Sequence, residues 1–206
     1  MAATKRRAKK PPRARLDVDE RRAQLLALGL DLFSQRAYDA ISIDEIALAA
    51  GISKGLLYHY FPTKRDFYAA AIREASRQLL ECTRPDESAP PLERLSRGLD
   101  AYLAYVEHRG PAYSALLRGG IGSDPSVAAI VQETRDSFLE RVLENFPAAE
   151  IGPTLRVTLR GWIGFVEAAS LDWVERHELR REELRELCTE VLMGAITVAT
   201  RRQGER

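Results

Sequence analysis

The sequence predicts an all-α protein of about nine helices, on three observations. Apolar residues recur at three- and four-residue spacings through nearly the whole of the 206-residue chain, no segment alternates apolar and polar residues over a strand length, and capping residues, glycines and prolines separate the periodic stretches. With 45% hydrophobic and 30% charged residues, the composition is that of an ordinary globular protein, long enough for one or two domains with a proper core.

Each element carries its own start and stop signals. Val18 to Arg36 follows Asp17 as N-cap, with Glu20 three residues on, and buries a stripe that includes Ala23, Leu26, Leu30 and Phe33. Ser42 and Glu45 form the capping box of a helix barely two turns long, whose Ile43, Ile46, Ala47 and Ala50 share one face and which Gly51 ends. Ser53 caps the next helix almost at once, so the two short helices must cross steeply. Lys64 to Cys82 is a longer helix that runs into the polar, proline-rich loop Thr83 to Pro91, TRPDESAPP. Further helices are expected at Leu92 to Arg109, Pro111 to Arg118 and Pro125 to Asn145, the last capped by Asp124 and separated from its predecessor by GGIGSD. Pro147, Gly152 and Pro153 then break the chain before a final pair at about Pro153 to His177 and Arg181 to Arg201. No repeat of fixed period occurs, which argues against a solenoid.

The formal net charge of +1 hides an uneven distribution. Seven of the 31 bases (Lys5, Arg6, Arg7, Lys9, Lys10, Arg13 and Arg15) lie in residues 1–15 with no acid, which leaves 24 bases against 30 acids in the rest. Such a segment, interrupted by Pro11 and Pro12, cannot bury a core; it reads as a disordered arm, either a solvated tail or a nucleic-acid contact. No run of about 18 consecutive apolar residues exists, and the basic N-terminus lacks a following apolar core, so neither a membrane span nor a secretory signal is supported and the expected compartment is the cytoplasm. Cys82 and Cys188 are far apart and read as small apolar residues, and His59, His108 and His177 are too scattered for a metal site. No cofactor is expected.

Residues 43–60, IDEIALAAGISKGLLYHY, have the spacing of a helix-turn-helix: Ala47 is small where the helices cross, Gly51 makes the turn, and Ile52 and Leu57 pack the second helix on the first. A generic helical hairpin shares this pattern. The stretch from Arg22 to about Phe67, through Leu32, Phe33, Tyr38, Ser42, Ile43, Ile46, Ala47, Ala50, Gly51, Ile52, Ser53, Gly55, Leu57, Tyr58, Tyr60, Phe61 and Lys64, resembles the DNA-binding domain of the TetR family of bacterial transcriptional regulators. It covers about a quarter of the chain. Two positions depart from the family pattern: Ala37 stands in place of the usual glycine, where a left-handed conformation would cost about 1 kcal/mol, and Phe67 in place of leucine.

The resemblance divides the chain into the basic arm 1–15, a helix-turn-helix domain 16–66 and a helical ligand-binding and dimerisation domain 67–206. It implies a sequence-specific regulator, a repressor released from a palindromic double-stranded operator by a small ligand, acting as a homodimer. Ser42 and Ser53 sit at helix N-termini, where a hydroxyl and free N–H groups can bind phosphate as well as cap. Lys54, Gly55 and Leu56 open the recognition helix, with Gly55 permitting close approach and Lys54 able to reach a guanine edge or a phosphate. By resemblance Tyr58 and His59 face the duplex backbone and Lys64 anchors a phosphate; solvated or core roles are the plain alternatives. Because residues 16–66 hold 6 bases and 8 acids, affinity must lean on the arm and a few placed groups.

For the dimer, Leu184, Leu187, Cys188, Val191, Leu192, Ala195 and Ile196 form a broad stripe, and Gly161, Gly164 and Ala168 allow close helix approach. For a small apolar or aromatic ligand, Tyr102, Tyr105, Tyr113, Leu117, Phe138, Trp162, Phe165 and Val166 are candidate pocket residues, with His108, Arg118 and Glu167 as polar groups; a plain core would use many of the same side chains. One rival is an enzyme, since Gly51-Ile52-Ser53-Lys54-Gly55 matches the G-x-S-x-G nucleophile elbow, but that elbow requires a preceding strand where this sequence has helical period. The other is a helical module that binds a protein or ligand without DNA.

Overall fold

The computed structural model describes residues 18–36, 38–118 and 124–204; within 111–118, Tyr113 is the one side chain described. The arm 1–15, Asp17, Ala37 and the side chains of Leu117 and Arg118 therefore lie outside the described residues.

Eight α-helices follow one another: α1 (Val18–Gln35), α2 (Ile43–Ala49), α3 (Lys54–Tyr60), α4 (Lys64–Cys82), α5 (Pro91–Arg118), α6 (Pro125–Leu143), α7 (Pro153–Arg176) and α8 (Arg181–Gly204), with 3-10 turns at Tyr38–Ala40 and Ala148–Glu150. No strand occurs among the described residues. The expected nine become eight because the pieces on either side of Pro111 run together as α5, broken only at Arg109, where φ is −117° and ψ 20°. A proline lacks the N–H and crowds the preceding turn, which kinks a helix without ending it when packing holds both halves. None of the described helices is long and apolar enough to cross a membrane.

Two apolar clusters hold the helices together. The first gathers α1, α2, α3 and the first half of α4, and also takes Val127 and Ile130 from the start of α6. The second gathers α5, α7 and α8 with Leu79 of α4 and Leu139 and Leu143 of α6. Both α4 and α6 thus belong to both clusters. Two ion pairs join them along their length, Arg65 Nη2 to Asp124 Oδ1 at 2.9 Å and Arg73 Nη1 to Glu133 Oε2 at 3.1 Å. Asp124 also caps α6, accepting from the Ser126 N–H at 2.8 Å.

Phe67 is fully buried at the centre of the first cluster, its ring centroid 5.8 Å from that of Phe33 and 5.0 Å from that of Phe61. The space its ring needs beyond a leucine comes from α1, where a Cβ on Gly29 would stand 2.7 Å from Phe67 Cζ. Gly29→Ala should therefore destabilise the protein by about 1–2 kcal/mol despite the better helix former. In a Phe67→Leu background the same substitution should instead stabilise, by up to about 1 kcal/mol. Urea denaturation of the four proteins in this cycle reads the reversal of sign directly.

In the second cluster Trp162 Nε1 donates to the Cys188 carbonyl at 2.8 Å and ties α7 to α8. The stripe expected on α8 divides: Leu184, Cys188 and Leu192 are buried within this chain's own core, Val191, Ala195 and Ile196 are half-buried, and Leu187 is exposed, as is Val198 farther along the helix. On α7 Val157 is exposed, and a Cβ placed on Gly161 or Gly164 would meet nothing within 4 Å. Val157, Gly161 and Gly164 on α7 and Leu187 and Val198 on α8 are therefore small or apolar positions that none of the described residues covers.

Candidate nucleic-acid interface

The α2–turn–α3 unit is built by local chemistry. Ser42 Oγ accepts from the Glu45 N–H at 3.2 Å, and Glu45 Oε2 accepts from the Ser42 N–H at 2.7 Å, closing the capping box that starts α2. At the other end Gly51 adopts φ +63°; its N–H donates to the Leu48 carbonyl at 3.0 Å and that of Ile52 to the Ala47 carbonyl at 3.1 Å, the paired bonds of a Schellman stop. Two residues later Ser53 caps α3, accepting from the Leu56 N–H at 3.2 Å. Ser53 therefore lies between two helices, without the strand a nucleophile elbow needs.

α3 buries one side and presents the other. Leu57 is fully buried and Phe61 nearly so, while Lys54, Gly55, Leu56, Tyr58 and His59 are exposed, Tyr58 by 40%. A side chain at Gly55 would meet only open space. Lys54 Nζ lies 3.0 Å from Asp44 Oδ2, which brings the first turns of α2 and α3, and with them Ser42 and Ser53, into one neighbourhood. Such an exposed pair holds little free energy and yields readily to another anion. Lys64, at the first position of α4, is not free as its place in the sequence suggests: its Nζ sits 4.0 Å from the centroid of the Tyr38 ring, a cation–π contact that holds the ammonium beside the helix N-terminus. The Tyr38 ring thus fixes where the Lys64 ammonium stands. The cap of α4, Thr63 with Asp66, is a second capping box that the T-x-x-D spacing discloses.

Glu45 is the strongest electrostatic feature here. The Ser42 N–H first, then Arg36 and the Ser42 hydroxyl, pull its carboxyl from the ordinary 4.5 to about 2. Arg36 reaches it at 2.9 Å and also bonds the Ala40 carbonyl, so α1, the Tyr38 turn and α2 are pinned together. Since the folded value lies below the unfolded one, this stabilisation is complete above the ordinary carboxylate range and is lost as pH falls from about 4.5 towards 2. Glu45→Gln should accordingly be less stable than the parent near neutrality, and the gap should close across that window; denaturation at stepped pH measures it.

Beside this unit, α4 to α8 enclose a cavity of about 800 Å³. Tyr102, Tyr105, Tyr113, Phe138, Trp162 and Val166 line it; Phe165 does not, being half-buried against the core, and Leu117 lies outside the described side chains. The Tyr102 and Tyr113 hydroxyls share a hydrogen bond, and burial raises both phenol pKa values. Glu167 also faces the cavity and is held by Arg135, whose Nη2 is 2.8 Å from Oε2, while His108 is not among the lining residues. Sequence reasoning missed Arg94, Arg109 and Arg141, all on the wall. The signal was there: Arg94, Gly98, Tyr102, Tyr105 and Arg109 recur at four, four, three and four residues, one face of a helix.

Residues 25–71 match the family described as bacterial regulatory proteins, tetR family, and residues 91–194 match the tetracyclin repressor-like C-terminal domain. The HTH-type transcriptional activator FasR of Mycolicibacterium smegmatis is 31% identical over 137 residues, 63% of this chain and 60% of that protein. The HTH-type transcriptional repressor KstR2 of Mycobacterium tuberculosis is 36% identical over 44% of this chain and 46% of its own length, so the chain matches about half of the length of each of these relatives. A crystal structure of a tetR-family transcriptional regulator from Streptomyces coelicolor superposes with a TM-score of 0.80 at 35% identity, covering 92% of this chain and 86% of that one. Helix order, the capped α2–turn–α3 unit and these two matches, one on each apolar cluster, agree: the chain belongs to the TetR family of regulatory proteins.

Proposed function

We propose that the protein is a cytoplasmic transcriptional regulator that binds a palindromic DNA operator as a homodimer and is released from it by a small apolar or aromatic ligand. The observation that carries this reading is the outward face of α3: Lys54, Gly55, Leu56, Tyr58 and His59 exposed on a helix whose opposite side buries Leu57 completely, flanked by the capped N-termini at Ser53 and Thr63. A helix of this size enters the major groove, with Ser42, Ser53, Lys64 and the Tyr58 hydroxyl available for phosphates. Its own charges are largely engaged, Arg36 with Glu45, Lys54 with Asp44 and Arg65 with Asp124, which leaves much of the electrostatic attraction to residues 1–15. Removing those residues should weaken duplex binding and flatten its salt dependence, by about 0.9 in the log–log slope for each phosphate that is no longer neutralised. Binding unchanged in affinity and slope would favour a helical module that does not use DNA.

Dimerisation would cover the outer faces of α7 and α8, where Val157, Leu187 and Val198 are exposed and Gly161 and Gly164 permit close helix contact. The route from ligand to DNA runs through α6: Phe138 and Val142 face the cavity, while Val127 and Ile130 pack into the DNA-binding cluster and Asp124 holds Arg65, next to Lys64. A ligand that favours a displaced α6 thereby moves α4 and the spacing of the two recognition helices; coupling of about 1–3 kcal/mol changes operator affinity about 5- to 150-fold. We read the regulator as a repressor, and an operator placed upstream of a promoter would reverse the sign.

A further inference from the structure

The wall of the cavity carries two guanidinium groups that no described carboxylate pairs with. Arg94, on the first turn of α5, gives one hydrogen bond, from Nη2 to Asn145 Oδ1 at 2.7 Å, and its buried Nε has no partner. Arg141, on the last turns of α6, donates only to neutral oxygens: the Thr83 hydroxyl at 3.0 Å, the Thr83 carbonyl at 3.4 Å and the Leu80 carbonyl at 2.8 Å. Asn145 links the two, accepting from Arg94 and donating to the Arg141 carbonyl at 3.0 Å. Among the described residues neither guanidinium makes an ion pair, although 17 such pairs, most of them on the surface, are formed elsewhere. Glu87 and Glu144 stand at the same end, exposed to water and outside ion-pair distance of both. An arginine with a buried, unbonded N–H is costly unless something accepts from it, and the guanidinium fork suits a carboxylate or phosphate.

From that end the cavity turns apolar, past Leu99, Trp162 and Val166 to the Tyr102–Tyr113 hydroxyl pair, and 800 Å³ is the size of a pocket that encloses a sizeable organic molecule. Arg109 lies fifteen residues and about 22 Å farther along α5, engaged with Gln78 and the Tyr105 ring. We propose that the cavity takes an amphiphilic anion, its carboxylate or phosphate head bound by Arg94 and Arg141 at the solvent-facing end and its apolar tail enclosed between α5, α6 and α7. This rests on the reading of the cavity as a ligand site and names the chemical class of the ligand.

The test measures binding of dodecanoate, dodecyl phosphate and 1-dodecanol to the full chain, each below its aggregation concentration, by quenching of tryptophan fluorescence, since Trp162 is on the wall. At least one of the two anions should bind about tenfold or more tightly than the alcohol, and the preference for carboxylate or phosphate identifies the head. Arg94→Gln and Arg141→Gln should each remove most of that advantage and leave alcohol binding unchanged, which also shows that the variants are folded. Equal affinity for alcohol and anions, or variants that keep the anion preference, would overturn the anionic head while leaving a ligand cavity in place. No binding of any of the three would overturn both.

Discussion

Replacing Tyr58 and Lys64 together by alanine is expected to lower affinity for operator DNA by about 30-fold to about 1000-fold while leaving the fold intact. Tyr58 turns its ring outward on α3, and Lys64 holds its ammonium at the start of α4 against Tyr38. A hydroxyl and an ammonium each contribute one bond to a phosphate, together about 1–2 kcal/mol per protomer net of desolvation, and a dimer loses the pair twice, about 2–4 kcal/mol in all. Removing one lysine from each protomer should also reduce the log–log salt slope by about 2. Neither side chain belongs to the core, so the cost to stability is the cation–π contact at Tyr38, about 0.5–1 kcal/mol. A double variant that is folded and keeps its parent affinity would remove both residues from the interface.

The largest effect on stability should come from Phe67→Ala, about 3–5 kcal/mol. The ring is in contact with the aromatic rings of Phe33 and Phe61, and the facing position on α1 is Gly29, which has no side chain to fall into the space vacated. The site therefore collapses poorly, which places the loss towards the upper end of that range. Because the same cluster supports Leu57 and Ile46 beneath the recognition helix, DNA binding should be lost at temperatures where α5 to α8 remain helical. Urea unfolding followed by circular dichroism gives the first quantity, and a duplex-binding titration against temperature gives the second.

Much of this arrangement was legible because it is written in local signals. Ser42 with Glu45, Gly51, Ser53 and Asp124 are caps and stops whose chemistry acts within four residues, and the helices they bound lie within a residue or two of where the sequence places them. Pro111 misled for a related reason: proline reads as a separator, whereas whether it ends or only bends a helix depends on what packs on either side. Contacts that cross between elements were the ones not visible. The pairing of Lys54 with Asp44, ten residues away across the turn, the placement of Lys64 over Tyr38, and the accommodation of Phe67 by Gly29 each need the fold before the partners can be named. Arg94 and Arg141 failed differently. Arginine is ordinarily a surface residue; helical spacing puts Arg94 on the face of Tyr102 and Tyr105, nothing local marks Arg141, and the cavity whose wall they share is closed only by the fold.

The most direct test of operator binding is selection of bound sequences from a random duplex pool with the full chain, followed by titration of the enriched sequence at several salt concentrations. A palindrome with half-sites spaced by one helical turn or a multiple, about 34–36 Å per turn, and an affinity that falls steeply with salt, is the result expected of a dimer that reads DNA through α3. Demonstrably folded protein that enriches no sequence, at low salt and with or without dodecanoate present, would contradict it.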